Sequence, residues 1–311
     1  MKQQNHRKKQ HNGRGNSPHP FAKFEKKKPA TPTRPKKDRR ARSADGPGQR
    51  HSGQGRPWPD ATAPAAPFPL NKYLAHAGVC ARRKAAEYIK EGAVQVNGKV
   101  ELEPGYKVLA GDRVTFHGKP LHIKQRLEYI LLNKPKDYLT TTKDPRGRKT
   151  VMELIQRATT GRVYPVGRLD RNTCGLLLFT NDGALAQQLA HPSGRIKKVY
   201  HVVLDKVLQP KDFEQILAGV PLSDGPMKAD ALAYTEEQDH RQVGLEIHSG
   251  RNRVVRRIFE QLGYEVKQLD RVLYAGLTKK NLPRGRWRHL TEKEVRILKH
   301  FTPGKPSETN Q

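Results

Sequence analysis

A single carboxylate, Asp170, stands between Arg168 and Arg171, shortly before the apolar run 174–179. A short apolar run bounded by glycine and polar residues is typical of a buried strand. Because an unpaired charge next to such a strand is costly to enclose, we expect Asp170 to lie at the mouth of a cavity. The segment therefore predicts both a central strand and the place where a functional site lies.

The charge of the chain predicts a polyanionic partner. The 311 residues carry a formal net charge of +30, with a pI near 10.3, and their number is enough for two compact units and additional sequence. Nucleic acid is the simplest partner for such an excess of positive charge. Acidic lipid is the rival polyanion, but no segment is long and apolar enough to span a bilayer, so we expect no membrane partner.

The sequence also favours a cytoplasmic protein without a metal or nucleotide cofactor. Residues 1–13 contain no apolar stretch of the kind that opens a signal peptide. Cys80 and Cys174 are far apart and form no metal or redox spacing. We find neither a glycine-rich dinucleotide or phosphate motif nor a His/Cys/Asp cluster with metal-ligand spacing.

Composition divides the chain into four segments. Residues 1–66 are basic and almost without apolar side chains, which predicts a disordered tail. Such a tail binds phosphates by counterion release without folding; the alternative is that it only improves solubility. We expect a small domain at 67–125, a larger domain at 126–300 and a C-terminal tail at 301–311.

The small domain is predicted to begin with two short helices and to continue as a β unit. Helical spacing runs from 70 to 77 and stops at Gly78, and a second helix fits 82–90. Asn97-Gly98 is the dipeptide of a tight hairpin. The helix at 82–90 starts with Arg82, Arg83 and Lys84. Because cations are unfavourable at a helix N-terminus, three of them suggest that an external anion binds there.

The larger domain is predicted to be α+β with a mixed, mostly antiparallel sheet, because its strands and helices do not alternate strictly. A capping box of Thr291 and Glu294 marks the start of a last helix. We expect strands at 129–134, 175–180, 199–204 and 243–247, and helices at 184–189, 211–217 and 252–262.

Two further motifs carry candidate site residues. Residues 250–259 combine an apolar helical stripe with a face of arginines. For Arg251, Arg253 and Arg257, phosphate binding and simple exposure to solvent both stay open. Lys198 and Tyr200 lie two residues apart in a predicted strand, where a tyrosine taken alone more often belongs to the core.

These motifs, taken together, resemble those of a known family. Residues 165–183 are similar to the active-site segment of the RNA pseudouridine synthases, in the RsuA/RluB branch that modifies ribosomal RNA. The segments 70–83 and 94–98 resemble an S4-type RNA-binding domain, except that Ala81 stands where that domain usually has the N-cap serine. The resemblance extends from about residue 69 to about residue 298.

The resemblance implies roles for individual residues. Asp170 would be the catalytic carboxylate, and Arg256 would pair with it and keep it ionised. Tyr200 would stack on the extruded base. Arg168 would fill the gap left in the RNA or hold a flanking phosphate. The remaining candidates for RNA binding are Arg82, Arg83, Lys84, Lys198, Arg251, Arg253 and Arg257.

The function implied is isomerisation of uridine to pseudouridine in ribosomal RNA without a cofactor. Asp170 would attack the ribose or the base covalently, or remove a ribose proton, and the sequence does not distinguish these. Asn172-Thr173, the small domain and the C-terminal extension favour large-subunit (23S) RNA or a pre-ribosomal large-subunit particle. A small-subunit target and a dual-site enzyme stay open. We expect a monomer.

Two other classes of function are compatible with parts of the sequence. A non-catalytic RNA-binding assembly factor would keep the same fold and tail, but it would have no reason to retain Asp170, Tyr200 and Arg256 together. A DNA-binding regulator fits the charge alone, and the chain has no helix-turn-helix or zinc signature.

Overall fold

The structure, a computed structural model, describes residues 67–123 and 126–300. The predicted tails, 1–66 and 301–311, lie outside the described residues. Within the described part, two units each have their own sheet and apolar core. The boundaries proposed for the two domains stay a prediction.

The small unit packs two helices against short antiparallel strands. Its four-stranded sheet has the order β3-β2-β5-β6, and β1 pairs separately with β4. Leu70, Leu74 and Ile89 of the helices are fully buried against the strands. The elements are β1 (Phe68–Pro69), α1 (Leu70–His76), α2 (Arg82–Lys90), β2 (Val94–Val96), β3 (Lys99–Val100), β4 (Lys107–Val108), β5 (Val114–Phe116) and β6 (Lys119–Pro120).

Local sequence explains this unit well. Asn97 and Gly98 both have positive φ, 53° and 80°, as a two-residue hairpin between β2 and β3 requires. α2 covers the predicted residues, and its N-cap, Ala81, makes no side-chain capping bond. The first turn of α2 therefore keeps its free N–H groups while it carries the three cations.

The larger unit is built on a nine-stranded sheet. Its elements are β7 (Tyr129–Lys134), α3 (Val151–Ile155), β8 (Tyr164–Val166), β9 (Cys174–Thr180), α4 (Gly183–Ala190), a 3-10 turn (Pro192–Gly194), β10 (Lys198–Leu204), α5 (Pro210–Ala218), β11 (Ala231–Tyr234), β12 (Gln242–Ile247), α6 (Val254–Gln261), β13 (Val266–Tyr274), β14 (Leu277–Thr278), β15 (Trp287–His289) and α7 (Glu292–Lys299).

The sheet is mixed and mostly antiparallel, which confirms the predicted fold class. The strand order is β11-β12-β10-β13-β9-β7-β15, with β14 beside β13 and β8 beside β9. Only the pair β9–β13 is parallel in this sheet. One core cluster joins α3, α5 and α6 to the sheet, and another holds α4 and α7.

One half of the sheet consists of β11, β12, β10 and β13, and the other of β9, β7 and β15. The two halves meet at a very close contact between β13 and β9. β9 and β13 share only two residue pairs, Cys174 with Asp270 and Gly175 with Arg271. Gly175 has a φ of +107°, and a Cβ at this position would lie 2.3 Å from the backbone oxygen of Arg271. A glycine is therefore required here both for its backbone conformation and for the space that it leaves.

The predicted elements and the structure differ in two places that bear on the site. β13 was not predicted, because Lys267, Gln268 and Asp270 interrupt the apolar pattern of the strand. α6 begins at Val254, two residues later than predicted, because Arg253 adopts a left-handed conformation with a φ of 47°. The capping box of Thr291 and Glu294 at the start of α7 is confirmed.

We expect Gly175→Ala to lower the free energy of unfolding by at least about 3 kcal/mol, because the new Cβ overlaps the backbone of β13. Urea denaturation followed by circular dichroism measures the change. Gly276→Ala is the matched control: this residue also has a positive φ, 78°, but nothing lies within 4 Å of its Cβ position. The control should lose only about 1–2 kcal/mol. Equal losses in both variants would contradict the close-contact argument.

Candidate active site

A cavity of about 250 Å³ lies where the two halves of the sheet join. Its walls come from the loop that precedes β9, the end of α4, the paired strands β10 and β13, and the loop that precedes α6. The polar lining residues include Arg168, Asp170, Lys198, Tyr200, Arg251 and Arg271. Asp170 is half-buried there, at the mouth of a cavity as predicted.

A buried lysine holds the loop that carries Asp170. Lys134, at the end of β7, is fully enclosed. Its Nζ donates to the backbone oxygens of Asp170 at 3.1 Å, Arg171 at 3.2 Å and Thr173 at 2.9 Å, and also to that of Pro135 at 3.0 Å. The N–H of Thr173 donates to the Asp170 oxygen at 3.0 Å, which closes a turn. One ammonium group therefore sets the path of the backbone around Asp170.

The surroundings of Lys134 act on its pKa in opposite directions. Burial lowers the pKa of Lys134 to about 8, and the nearby charge of Asp170 acts in the opposite direction. The carbonyl oxygens that accept from Nζ also favour the charged form. We therefore treat Lys134 as an ammonium at neutral pH.

The segment before Asp170 is held from the other side. The Thr140 hydroxyl donates to the Leu169 oxygen at 2.7 Å. The N–H of Asp137 donates to the Arg171 oxygen at 2.9 Å, and the carboxylate of Asp137 lies 3.2 Å from the Arg171 guanidinium. The backbone on both sides of Asp170 is thus held by hydrogen bonds, and Asp170 itself lines the cavity.

Arg256 lies near Asp170 but makes no direct ion pair with it. Its Nη1 donates to the Val266 oxygen at 2.8 Å, and its buried Nε has no partner among the described residues. Burial lowers the pKa of Arg256, and the charge of Asp170 partly offsets this effect. The two charges therefore interact without being within 4 Å, and the predicted pairing of Arg256 with Asp170 stays a prediction.

Tyr200 and Lys198 extend from the same face of β10, since they are two residues apart in a strand. Tyr200 is 8% exposed and pairs across the sheet with Arg271 of β13. The Nζ of Lys198 donates to the backbone oxygens of Ser249 at 3.1 Å and His248 at 3.4 Å. Burial, together with the nearby charge of Arg271, lowers the pKa of Lys198 to about 8.

Arg271 is a residue of the cavity that the sequence analysis missed. It is 2% exposed, and its Nε and Nη2 donate to the Leu176 oxygen at 2.9 and 2.6 Å. Its guanidinium lies 4.4 Å from the centre of the Tyr274 ring. Lys134 was missed as well, although a lysine in an otherwise apolar strand is a signal that could have identified it.

The predicted arginines of the 250–259 motif already have partners in the protein. Arg251 lines the cavity and lies 3.6 Å from Asp224, and Arg257 lies 2.9 Å from the same carboxylate. Arg253 also lines the cavity and pairs with Glu260 at 3.1 Å. Because Asp224 and Glu260 are exposed to solvent, these ion pairs are weak and can be exchanged for phosphate.

The three cations of α2 are exposed and do not line the cavity. Arg82 donates to Asn71 at 3.1 Å, and Lys84 pairs with Glu87 at 2.8 Å. Arg83 has no hydrogen-bond or ion-pair partner among the described residues. The predicted RNA-binding residues therefore lie at the start of α2 and around the cavity, except Arg257, which does not line it.

The described parts of the chain contain neither a metal-binding cluster nor a membrane-spanning helix. No group of three or more His, Cys, Asp or Glu residues there is arranged to hold a metal ion. No helix of residues 67–123 or 126–300 is long and apolar enough to cross a membrane.

Known proteins are similar to this chain in sequence and in fold. The sequence model of the family described as RNA pseudouridylate synthase matches residues 128–261, and that of the S4 domain matches residues 68–114. The ribosomal large subunit pseudouridine synthase B of Bacillus subtilis (strain 168) is 43% identical over 234 residues, covering 74% of this chain and 95% of that protein. The chain belongs to the RNA pseudouridine synthase family.

Other relatives of this synthase agree with that assignment. A protein of the same name from Yersinia pestis is 37% identical over 239 residues, covering 75% of this chain and 75% of that protein. The crystal structure of a pseudouridylate synthase superposes with a TM-score of 0.54 at 27% identity, covering 74% of this chain and 99% of that one. The match of the family model includes Asp170, Tyr200 and Arg256.

We expect Lys134→Met to lower the free energy of unfolding by about 3 kcal/mol, because the backbone oxygens of the Asp170 loop lose their buried donor. Urea denaturation of the full chain measures this loss. Lys136→Met is the control, since Lys136 is exposed two residues away and should change stability by less than about 0.5 kcal/mol. An unchanged unfolding midpoint for Lys134→Met would show that the loop does not depend on this ammonium.

Proposed function

We propose that this synthase converts a uridine of large-subunit (23S) ribosomal RNA to pseudouridine, with Asp170 as the essential carboxylate and without a cofactor. The observation that carries the proposal is the position of Asp170. It is the carboxylate of a basic cavity, on a loop held by Lys134, and the same cavity is lined by an aromatic residue of β10. The names of the relatives from Bacillus subtilis and Yersinia pestis support the choice of the large subunit.

The reaction rearranges one bond of the substrate. The bond from the ribose to the ring nitrogen breaks, a bond from the ribose to ring carbon five forms, and carbon five loses its proton. In one reading Asp170 attacks the ribose or the base covalently; in the other it removes a ribose proton. Both readings require an ionised carboxylate in contact with the extruded nucleotide.

The neighbouring residues support this carboxylate. Arg256, whose charge interacts with that of Asp170, is the cation that we assign to this carboxylate. Tyr200 presents a largely buried ring on the cavity wall, where an unstacked base gains contact with an aromatic face. Arg168, exposed beside Asp170 at the cavity mouth, contacts the RNA that surrounds the extruded nucleotide.

RNA binding is assigned to the two basic surfaces. Arg82, Arg83 and Lys84 of the S4 domain bind backbone phosphates, and the rim arginines of the 250–259 motif bind the nucleotides next to the target. We further propose that the protein acts as a monomer in the cytoplasm, on the RNA itself or on a pre-ribosomal large-subunit particle.

Activity is tested by release of tritium from ribosomal RNA labelled at ring carbon five of uridine, since this position loses its hydrogen in the reaction. We expect release from large-subunit RNA and a loss of at least about 10⁴-fold in rate for Asp170→Asn. Asp239→Asn is the control, because Asp239 is paired with Arg241 and does not line the cavity. Full release by Asp170→Asn would show that the catalytic group is misassigned.

The same variants distinguish an enzyme from an assembly factor in cells. In a strain that lacks the gene, mapping of pseudouridine in ribosomal RNA should show one lost modification that returns with the wild-type gene and not with Asp170→Asn. An unchanged map, together with a growth defect that both genes correct, would instead support the non-catalytic assembly factor.

For the S4 domain, we expect Arg83→Gln to weaken binding of large-subunit RNA and to reduce the slope of log Kd against log salt by about 1, as loss of one phosphate contact predicts. Filter binding at several salt concentrations measures both quantities. Lys90→Gln removes an exposed cation at the other end of α2 and is the control. Equal slopes for both variants would mean that the start of α2 does not contact phosphate.

A further inference from the structure

Apart from the exposed Arg168, two cations that line the cavity, Lys198 and Arg271, have no acidic partner among the described residues. Within residues 67–123 and 126–300, the nitrogens of both side chains donate only to backbone oxygens. The carboxylate of Asp230, which influences Lys198 from a distance, is bonded to the His248 ring at 2.8 Å. Because buried charges are normally paired, the buried Arg271 and the half-buried Lys198 beside it, both without a carboxylate, indicate that a ligand supplies the missing negative charge.

Each of the two side chains has hydrogen-bonding capacity left for that ligand. Lys198 has three N–H donors and two backbone acceptors. Arg271 uses Nε and Nη2 on the Leu176 oxygen, while its Nη1 has no partner in the described chain and is not among the atoms sealed from solvent. Since both residues line the cavity, their unused donors are available to its occupant.

The register of the sheet places these donors beside the proposed base-stacking residue. Arg271 of β13 is directly opposite Tyr200 of β10, and Lys198 lies two residues before Tyr200 on the same face. A ring stacked on Tyr200 therefore has its edge near both cations. The edge of uracil carries two carbonyl oxygens, which accept hydrogen bonds from such donors.

We propose that Lys198 and Arg271 form the subsite for the carbonyl oxygens of the target uracil and stabilise the negative charge of the ring while it is detached from the ribose. This inference rests on the proposed function. Both residues touch the reacting base in this assignment, so both are catalytic residues that act through charge. Arg251 and Arg253, which are exposed at the rim of the cavity, would bind phosphates of the RNA.

The chemistry of the rearrangement creates the charge that this subsite would receive. When the bond from ribose carbon to ring nitrogen one breaks, its electron pair stays on the uracil and spreads over nitrogen one and the two carbonyl oxygens. Carbon five then attacks the ribose carbon and releases its proton, and nitrogen one takes up a proton, so atoms and charge balance. The pair goes to the uracil whichever role Asp170 has. Fixed cations in a low-dielectric cavity stabilise such charge strongly.

The test compares RNA binding with the rate of the chemical step in the full chain. Single-turnover release of tritium from 5-labelled large-subunit RNA, at saturating protein, should fall about 100-fold or more for Lys198→Met, as for loss of one donor to a developing oxyanion. The Kd for the same RNA and its salt dependence should change less than about 3-fold. Lys197→Met is the matched control: this neighbour on the chain pairs with Glu246 and does not line the cavity.

The pH dependence separates a charge effect from a structural one. Because the pKa of Lys198 is about 8, the wild-type rate should fall as the pH rises above 8, and this decrease should be absent in Lys198→Met. Arg271→Lys keeps a cation and should retain the decrease at a lower rate. The titratable and charged groups nearest Lys198 are Arg271, Tyr274, Asp230 and His248, and the cavity that Lys198 lines also contains Asp170, Arg168, Arg251 and Arg253.

Several outcomes would overturn the inference. A weaker Kd and a salt slope reduced by about 1, with an unchanged rate at saturation, would show that Lys198 binds phosphate. An unchanged decrease in rate above pH 8 in Lys198→Met would remove its charge from the chemical step. If Lys198→Met and the wild-type chain release tritium at equal rates, this inference is contradicted but the proposed function is not. Absence of release by the wild-type chain from ribosomal RNA contradicts the proposed function and this inference with it.

Discussion

The close approach of β9 to β13 at Gly175 is the contact on which the rest of the site depends. Only two residue pairs join the halves of the sheet. Because Gly175 has no side chain, the backbone of Arg271 can pack directly against it. The guanidinium of Arg271 then bonds to the Leu176 oxygen and strengthens the same junction. Because β9 begins right after the Asp170 loop, this junction brings the carboxylate into the same cavity as β10, the strand that carries Tyr200 and Lys198.

The site uses buried cations in two different ways. Lys134 is saturated by backbone oxygens, so its charge serves to hold the Asp170 loop in one conformation. Lys198 and Arg271 are only partly saturated and line the cavity, so their charge is available to a ligand. A fixed loop on one side and fixed cations on the other give a cavity that is organised before RNA enters, which is what electrostatic catalysis requires.

Sequence reasoning predicted the elements that have strong local signals. The hairpin at Asn97-Gly98, the helix at 82–90 and the capping box at Thr291 are each encoded within a few residues, and the structure contains all three. β13 was missed because its polar residues are accommodated by contacts distant in sequence, such as those of Asp270 with Lys279 and Arg284. Arg271 was missed for the same reason, since its role follows from its register opposite Tyr200.

The paired and the unpaired cations of the site suit two different roles, RNA binding and the chemical step. Arg251, Arg253 and Arg257 are paired with Asp224 or Glu260, both of which are about half exposed. Replacing such a carboxylate by phosphate changes little in solvation, so these arginines suit reversible contact with RNA. Arg271, beside Tyr200, is only 2% exposed, and at such an enclosed position the same charge acts far more strongly on a bound ring. The chain therefore pairs its exchangeable cations with exposed carboxylates and leaves Lys198 and Arg271 unpaired beside Tyr200, where an extruded base would develop charge.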